Sequence, residues 1–168
     1  MPTSTQIEFV ASLYIGYFNR APDPAGFVFW LDVVDKQAEA LGAESLAFQK
    51  FLNEDLPQFF AENPEPRSVY PFLETPSPES AESFLTNVYQ NLFGRNPDEA
   101  GLEFYRDALL VPVGQAGNLS PGQAISQIIN GAVTAPDSVI VANKVDVGLF
   151  FFDNILPKIG SLDPAKFE

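Results

Sequence analysis

Cysteine and histidine are both absent from this chain of 168 residues. Their absence excludes Ser-His-Asp and Cys-His nucleophilic catalysis and ordinary zinc sites, and leaves carboxylate, lysine, tyrosine or hydroxyl chemistry. Cations are scarce, since nine Lys and Arg face 22 Asp and Glu, for a net charge of −13. We expect no nucleic-acid partner, because binding nucleic acid needs a basic surface that neutralises phosphates. Cations, basic proteins and neutral glycans are binding partners compatible with this negative charge.

Long apolar runs are missing as well, and we expect no cleavable N-terminal signal peptide of the usual kind. The longest apolar run, residues 25–31, has seven residues, whereas a membrane-spanning helix needs about 20. We therefore expect no membrane insertion. The first cation is Arg20, so the N-terminus lacks the basic region of a cleavable signal peptide.

One segment of the sequence occurs twice, 75 positions apart. Residues 9–29 and 84–104 share nine identities over 21 positions, where average amino-acid usage gives roughly one. The match indicates an internal duplication. Its identical positions include Tyr-x-x-x-Phe-x-Arg-x-Pro-Asp-x-x-Gly, which begins at Tyr14 and again at Tyr89.

Each copy predicts two helices joined by a polar turn. Apolar residues recur with helical spacing on both sides of the turn. Thr5 and Glu8 have the spacing of a capping box for the first helix. Ser77 followed by Pro78 suits the start of its counterpart in the second copy.

The turn that the two copies share contains an Arg, an Asp and a Gly, and we predict a structural role for each. We expect the Arg to bridge the following Asp or to bind the carbonyls that end the first helix, and the alternative is a duplicated ligand contact. The Asp is a predicted N-cap. A helical Gly costs about 0.5–1 kcal/mol relative to Ala, so its recurrence predicts close packing of the preceding helix. These residues are Arg20, Asp23, Gly26, Arg95, Asp98 and Gly101.

The rest of the chain completes an all-α prediction. A third helix is expected in each half, one near residues 43–56 and one that opens with a capping box at Ser120. Residues 62–79 contain five prolines and predict a long connection without helical periodicity. A last apolar helix, residues 137–156, is expected to lie across both halves. The sequence thus predicts one domain, residues 1–168, with two pseudo-symmetric three-helix units (5–56 and 78–135) plus a C-terminal helix.

Aromatic residues are the candidates for binding a partner. Trp30 and Tyr105 occupy equivalent positions and are able to stack on sugar rings or anchor a protein, although an aromatic residue at helical spacing is more often core. Tyr70 and Phe72 lie in the proline-rich connection. No cofactor is predicted. Calcium is possible in principle, but it needs about six to eight oxygens and the usual calcium loop is missing.

The doubled element, at residues 14–30 and 89–105, resembles the bacterial helical family called domain of unknown function four-two-one-four (DUF4214). Proteins similar to this family include large proteins exported by type I secretion, upstream of calcium-binding repeats-in-toxin segments, and S-layer proteins. The second copy is also similar to the helical linker domain of phycobilisomes. The resemblance implies an extracellular or cell-surface location reached without an N-terminal signal peptide. A cytoplasmic location stays open.

Together these observations predict a non-catalytic binding or anchoring module of a secreted or cell-surface protein. The partner implied by the resemblance is lipopolysaccharide or another surface glycan, or else another protein. Two alternatives stay open: a structural module that associates with itself or links proteins, and a glycan-acting enzyme that uses two carboxylates.

Overall fold

The computed structural model describes residues 1–154 and is 75% helical, with no strand in this part of the chain. The all-α prediction is confirmed. The predicted C-terminal helix is described from 137 to 154, and its residues 155 and 156 lie outside the described residues. The helices are α1 (Ser4–Phe18), α2 (Pro24–Leu41), α3 (Leu46–Lys50), α4 (Leu56–Ala61), α5 (Pro64–Val69), α6 (Pro78–Phe93), α7 (Glu99–Leu110), α8 (Pro121–Gly131) and α9 (Asp137–Asn154).

Most helix starts follow the predicted caps. Ser77, Ser120 and the two motif aspartates are the N-caps of α6, α8, α2 and α7. The predicted start of α1 at Thr5 was wrong. Thr3 caps this helix, because Gln6 completes an earlier capping box in which the Thr3 N–H donates to Gln6 Oε1 at 2.9 Å.

The third helix of the first half differs from the prediction. It runs from 46 to 61 as α3, a π-helical segment (Phe51–Asp55) and α4. The π segment precedes Pro57, which has no N–H to donate to the Asn53 carbonyl. The Leu56 N–H instead reaches back to the Phe51 carbonyl, which widens the turn.

The proline-rich connection is not free of helix, contrary to the prediction for residues 62–79. It holds α5 and a 3₁₀ turn (Pro71–Leu73). Pro64 and Pro66 fall in the first turn of α5, where backbone N–H groups have no partner within the helix, so the prolines interrupt nothing. The segment therefore contributes packed elements to the core.

Helix α1 is the centre of the molecule. Residues 10–17 are all buried, so α1 is covered on every side and not only along the predicted stripe. It packs against α2, α4, α6, α8 and α9. The ring of Tyr17 stacks with Phe60 at 6.1 Å between centroids and lies 6.5 Å from Phe84, which belongs to the second half.

The two halves interlock. Helix α8 of the second half packs extensively on α4 of the first, and α6 packs on α1. Helix α9 contacts both α1 and α6. The described helices include none that is both long and apolar enough to cross a bilayer.

Candidate functional site

The first aromatic cleft is a small open cavity of about 220 Å³ at the turn between α1 and α2. The Arg20 guanidinium lies over the ring of Phe18, 4.9 Å from its centroid, and 5.6 Å from that of Tyr14. It is held there by Asp23 Oδ2 at 3.3 Å and Glu65 Oε2 at 3.0 Å. The lining residues are Tyr14, Phe18, Arg20, Asp23, Gly26, Phe29, Trp30, Asn63 and Glu65.

The second aromatic cleft, about 230 Å³, lies at the turn between α6 and α7. Arg95 sits over the rings of Tyr89 (5.4 Å) and Phe93 (5.8 Å). Its Nε donates to Asp137 Oδ1 at 2.9 Å, and its Nη2 contacts the other oxygen of this carboxylate. The lining residues are Tyr89, Phe93, Arg95, Tyr105, Gln127, Ile128, Gly131, Ala132 and Asp137.

Four positions of the repeat contribute a side chain to the cleft in each copy. They supply two rings that support an arginine and one further ring from the second helix of the copy. In each cleft the arginine is neutralised by a carboxylate from an element distant in the sequence, Glu65 of α5 or Asp137 of α9. The four corresponding pairs are Tyr14 and Tyr89, Phe18 and Phe93, Arg20 and Arg95, and Trp30 and Tyr105.

The predicted bridge from arginine to the motif aspartate forms in one copy only. Arg20 binds Asp23, as expected. For Arg95 the predicted partner Asp98 was wrong. Helix α9 brings Asp137 against the guanidinium and offers it two oxygens at once, a geometry that favours an arginine–carboxylate pair.

The motif aspartates and glycines form the caps that the sequence predicts. Asp23 Oδ1 accepts a hydrogen bond from the Gly26 N–H at 2.8 Å, and Asp98 Oδ1 accepts one from Gly101 at the same distance. A Cβ on Gly26 would overlap the Tyr14 hydroxyl of the preceding helix. Close packing is therefore confirmed at Gly26. At Gly101 the equivalent hydroxyl of the Tyr89 side chain would stand 3.7 Å away, an ordinary contact, and the nearest atom would be Asp98 Oδ1 of the cap at 3.2 Å.

Trp30 and Tyr105 are half-buried side chains on the walls of their clefts. Trp30 stacks on Phe60, with ring centroids 4.8 Å apart and an angle of 29° between the planes. Tyr105 makes an edge contact with Phe104 at 5.1 Å. Trp30 also contacts the rings of Phe29 and Phe59, at 5.0 and 6.5 Å between centroids. Both Trp30 and Tyr105 keep part of the ring exposed in the cleft.

Tyr70 and Phe72 are core residues, which corrects their prediction as partner-binding side chains. They are only 5% and 3% exposed. The Tyr70 hydroxyl donates to the Tyr17 carbonyl at 2.8 Å and accepts from the Asn91 amide at 3.2 Å, and Phe72 stacks on Phe84 at 5.6 Å. Both rings fill the space that the 3₁₀ turn closes.

Burial and neighbouring charges set the protonation of the clefts. Hydrogen bonding to Arg95 lowers the pKa of Asp137, so this carboxylate is ionised at neutral pH. Burial, assisted by Tyr105 and Asp98, raises the pKa of Tyr89 to about 12. Burial and the Asp23 charge also raise the pKa of Tyr14. The two tyrosines are therefore neutral hydrogen-bonding groups.

A longer groove of about 540 Å³ runs between the end of α1 and α9. Ile15, Val147 and Phe151 give it apolar walls, and it shares Arg20 with the first aromatic cleft. Its polar lining residues are Asn19, Arg20, Asn143 and Lys144. Among the described residues, no group of three or more acidic side chains is placed to hold a metal ion.

Comparison with known proteins identifies part of the chain. Residues 72–113, which contain the second copy of the motif, match the sequence profile of the family described as Domain of unknown function (DUF4214). The resemblance to DUF4214 is confirmed. No curated protein and no solved structure matches the chain significantly.

Sequence reasoning missed several cleft residues. Glu65 and Asn63 come from the proline-rich segment, Asp137 from α9 and Gln127 from α8. Each is distant from the motif along the chain. Only the packing of α5, α8 and α9 beside the turns brings them in, and the repeat carries no signal for them.

Proposed function

We propose that this chain is a non-catalytic binding module that holds a surface glycan in its two aromatic clefts. The observation that carries the proposal is the recurrence of the same rings and arginine at corresponding positions of the two copies. Clefts of about 220 and 230 Å³ are smaller than the roughly 300–1,000 Å³ of sites for drug-sized ligands. They suit a single sugar ring.

The side chains of the clefts match the chemistry of a sugar. Trp30 and Tyr105 offer partly exposed aromatic surface to the C–H groups of a sugar. The arginines and their paired carboxylates donate to and accept from hydroxyl groups. The net charge of −13 disfavours an anionic glycan. The proposed ligand is therefore a neutral glycan.

Two weak binding sites on one domain also suit a ligand that is repeated many times over a surface. A cleft for one ring gives modest affinity by itself, but two clefts bind a repetitive surface with avidity. In the setting implied by the resemblance, such a module would attach a secreted protein to the cell surface. Asp137 is unsuited to the general-acid role of a glycosidase, because hydrogen bonding to Arg95 lowers its pKa.

The single Trp of the chain makes the first cleft directly measurable, since Trp30 lines it. We expect its fluorescence to shift on titration with a neutral sugar from a panel of glucose, galactose, mannose and N-acetylglucosamine oligomers. Phe29→Ala should weaken this binding about 5-fold, because Phe29 lines the cleft and is 56% exposed.

Phe104→Ala is the matched control. Phe104 corresponds to Phe29 in the repeat and is 59% exposed, but it lies outside the lining of the second cleft. It should leave the affinity of the first cleft, which Trp30 fluorescence reports, unchanged, because Phe104 contacts Tyr105 of the other cleft. The panel is completed by purified lipopolysaccharide with and without calcium. If no member changes the fluorescence or binds in calorimetry, the glycan proposal is wrong.

A further inference from the structure

A third cavity, here called the amide cleft, adjoins the second aromatic cleft. It has a volume of about 510 Å³ and lies between the π-helical segment, α8 and Tyr105. Tyr105, Gln127 and Gly131 line both cavities. The two are therefore neighbours that meet at Tyr105.

Carboxamides dominate the amide cleft. Asn53, Gln123, Gln127 and Asn130 line it, with Glu54 as the one carboxylate and no cation in the lining. A carboxamide donates and accepts hydrogen bonds at the same time, as a sugar hydroxyl does. This lining suits a neutral ligand rich in hydroxyl groups.

Part of this polar surface is fixed in place by hydrogen bonds within the protein. Asn53 Oδ1 accepts from the Asn130 amide at 2.9 Å, and Asn53 Nδ2 donates to the Gln49 carbonyl at 2.8 Å. Glu54 Oε2 accepts from Gln123 Nε2 at 3.0 Å. Groups held in this way lose little freedom when a ligand binds.

Other groups of the cleft keep hydrogen-bonding capacity. Within residues 1–154 the side-chain amide of Gln127 and the hydroxyl of Tyr105 have no hydrogen-bond partner, and Asn130 Oδ1 accepts none. Tyr105 and Gln127 also line the second aromatic cleft, so they lie where the two cavities meet. A ligand that crosses Tyr105 would meet them first.

The π-helical segment is an independent indication of function. Fewer than one residue in a hundred is π-helical in globular proteins, and such turns are frequent at functional sites. Here the segment supplies Asn53 and Glu54 to the cleft. The motif repeat carries no counterpart of this segment in the second half, where α8 is an uninterrupted α-helix.

We propose that the amide cleft is a sugar subsite that continues the second aromatic cleft across Tyr105. The second aromatic cleft and the amide cleft together then bind a chain of at least two neutral sugar rings, whereas the first aromatic cleft takes one. This inference rests on the proposed glycan-binding function and makes Gln127 and Asn130 the residues that select for chain length.

The test compares mono-, di- and trisaccharides of the same four neutral sugars on the full chain by calorimetry. We expect the wild type to bind the best disaccharide at least 10-fold more tightly than its monosaccharide. The double variant Gln127→Ala, Asn130→Ala should reduce this preference to 2-fold or less. Both side chains are exposed, so the fold should persist, which the melting temperature checks.

Two further measurements separate the possible failures. Gln115→Ala removes an exposed carboxamide from the loop before α8 and should retain the preference. The Trp30 fluorescence response to monosaccharides should be the same in the double variant. A wild type that binds glycans equally well at all lengths, or a double variant that keeps the preference, overturns the subsite alone. A wild type that binds no glycan overturns the proposed function and the subsite together.

Discussion

The residues around the two motif glycines differ although the glycines correspond. Gly26 faces the Tyr14 hydroxyl, and Tyr14 is only 2% exposed and packed against Phe60 at 5.3 Å. This hydroxyl cannot move aside for an added methyl group. Gly101 faces an equivalent ring, Tyr89, that lies farther away and is half-buried. The same motif residue is thus constrained by packing in one copy only.

We therefore expect Gly26→Ala to lower the free energy of unfolding by about 1–3 kcal/mol, the usual cost of overpacking. Gly101→Ala, which gains helix propensity without the overlap, should change it by less than about 1 kcal/mol. Chemical denaturation measures both. Tyr14→Phe removes the obstructing hydroxyl and should rescue part of the loss in a double-mutant cycle. Equal losses at the two glycines would contradict this account.

The start of α9 is tied to the second repeat by one ion pair. Arg95 is fixed over two rings and also donates to the Asn96 carbonyl at 2.9 Å. Asp137 lies in the first turn of α9, where a negative charge also stabilises the helix. Its side chain is 18% exposed and that of Arg95 is 41% exposed. The pair is thus partly screened by water, and its contribution is modest.

Asp137→Asn should reduce stability at pH 7 by about 1 kcal/mol. The pKa of Asp137 is lowered in the folded protein, so its stabilising effect is present above the unfolded pKa of about 4 and is lost as the pH falls through the folded value. The difference in melting temperature between wild type and variant should therefore shrink below about pH 4. Asp107→Asn removes a carboxylate that is 70% exposed and should have a smaller effect at pH 7.

At the scale of the whole molecule, the contact of α4 with α8 joins the halves. Gly122 in the first turn of α8 is buried against the backbone of α4. A Cβ there would stand 2.7 Å from the Pro57 carbonyl carbon and overlap the backbone of Gln58. The Gln58 side chain also accepts from the Gly122 N–H at 3.1 Å. Backbone atoms cannot yield as the end of a side chain can.

Gly122→Ala should consequently cost about 3 kcal/mol, because α8 must move away from α4 and the core must repack. Gly131→Ala at the other end of α8 is the control. No described atom lies within 4 Å of an added Cβ there, so we expect up to about 1 kcal/mol of stabilisation from helix propensity. Thermal unfolding should stay a single transition. Two separate transitions would show that the halves unfold independently.

Sequence alone determined the helical class, most helix starts and the turn built by the motif. Ser77, Asp23 and Asp98 cap their helices as predicted, because a cap depends on residues two or three positions away. The description as two pseudo-symmetric units stays a prediction.

Tertiary structure alone decided how the parts of the chain meet. Arg95 pairs with Asp137, 42 positions later, and Glu65 of α5 reaches Arg20. Tyr70 is a core residue. The π-helical segment places Asn53 and Glu54 beside residues of α8. These contacts depend on which apolar surfaces are buried against each other. Segments that are far apart in the sequence contribute to that burial, so no local sequence pattern predicts it.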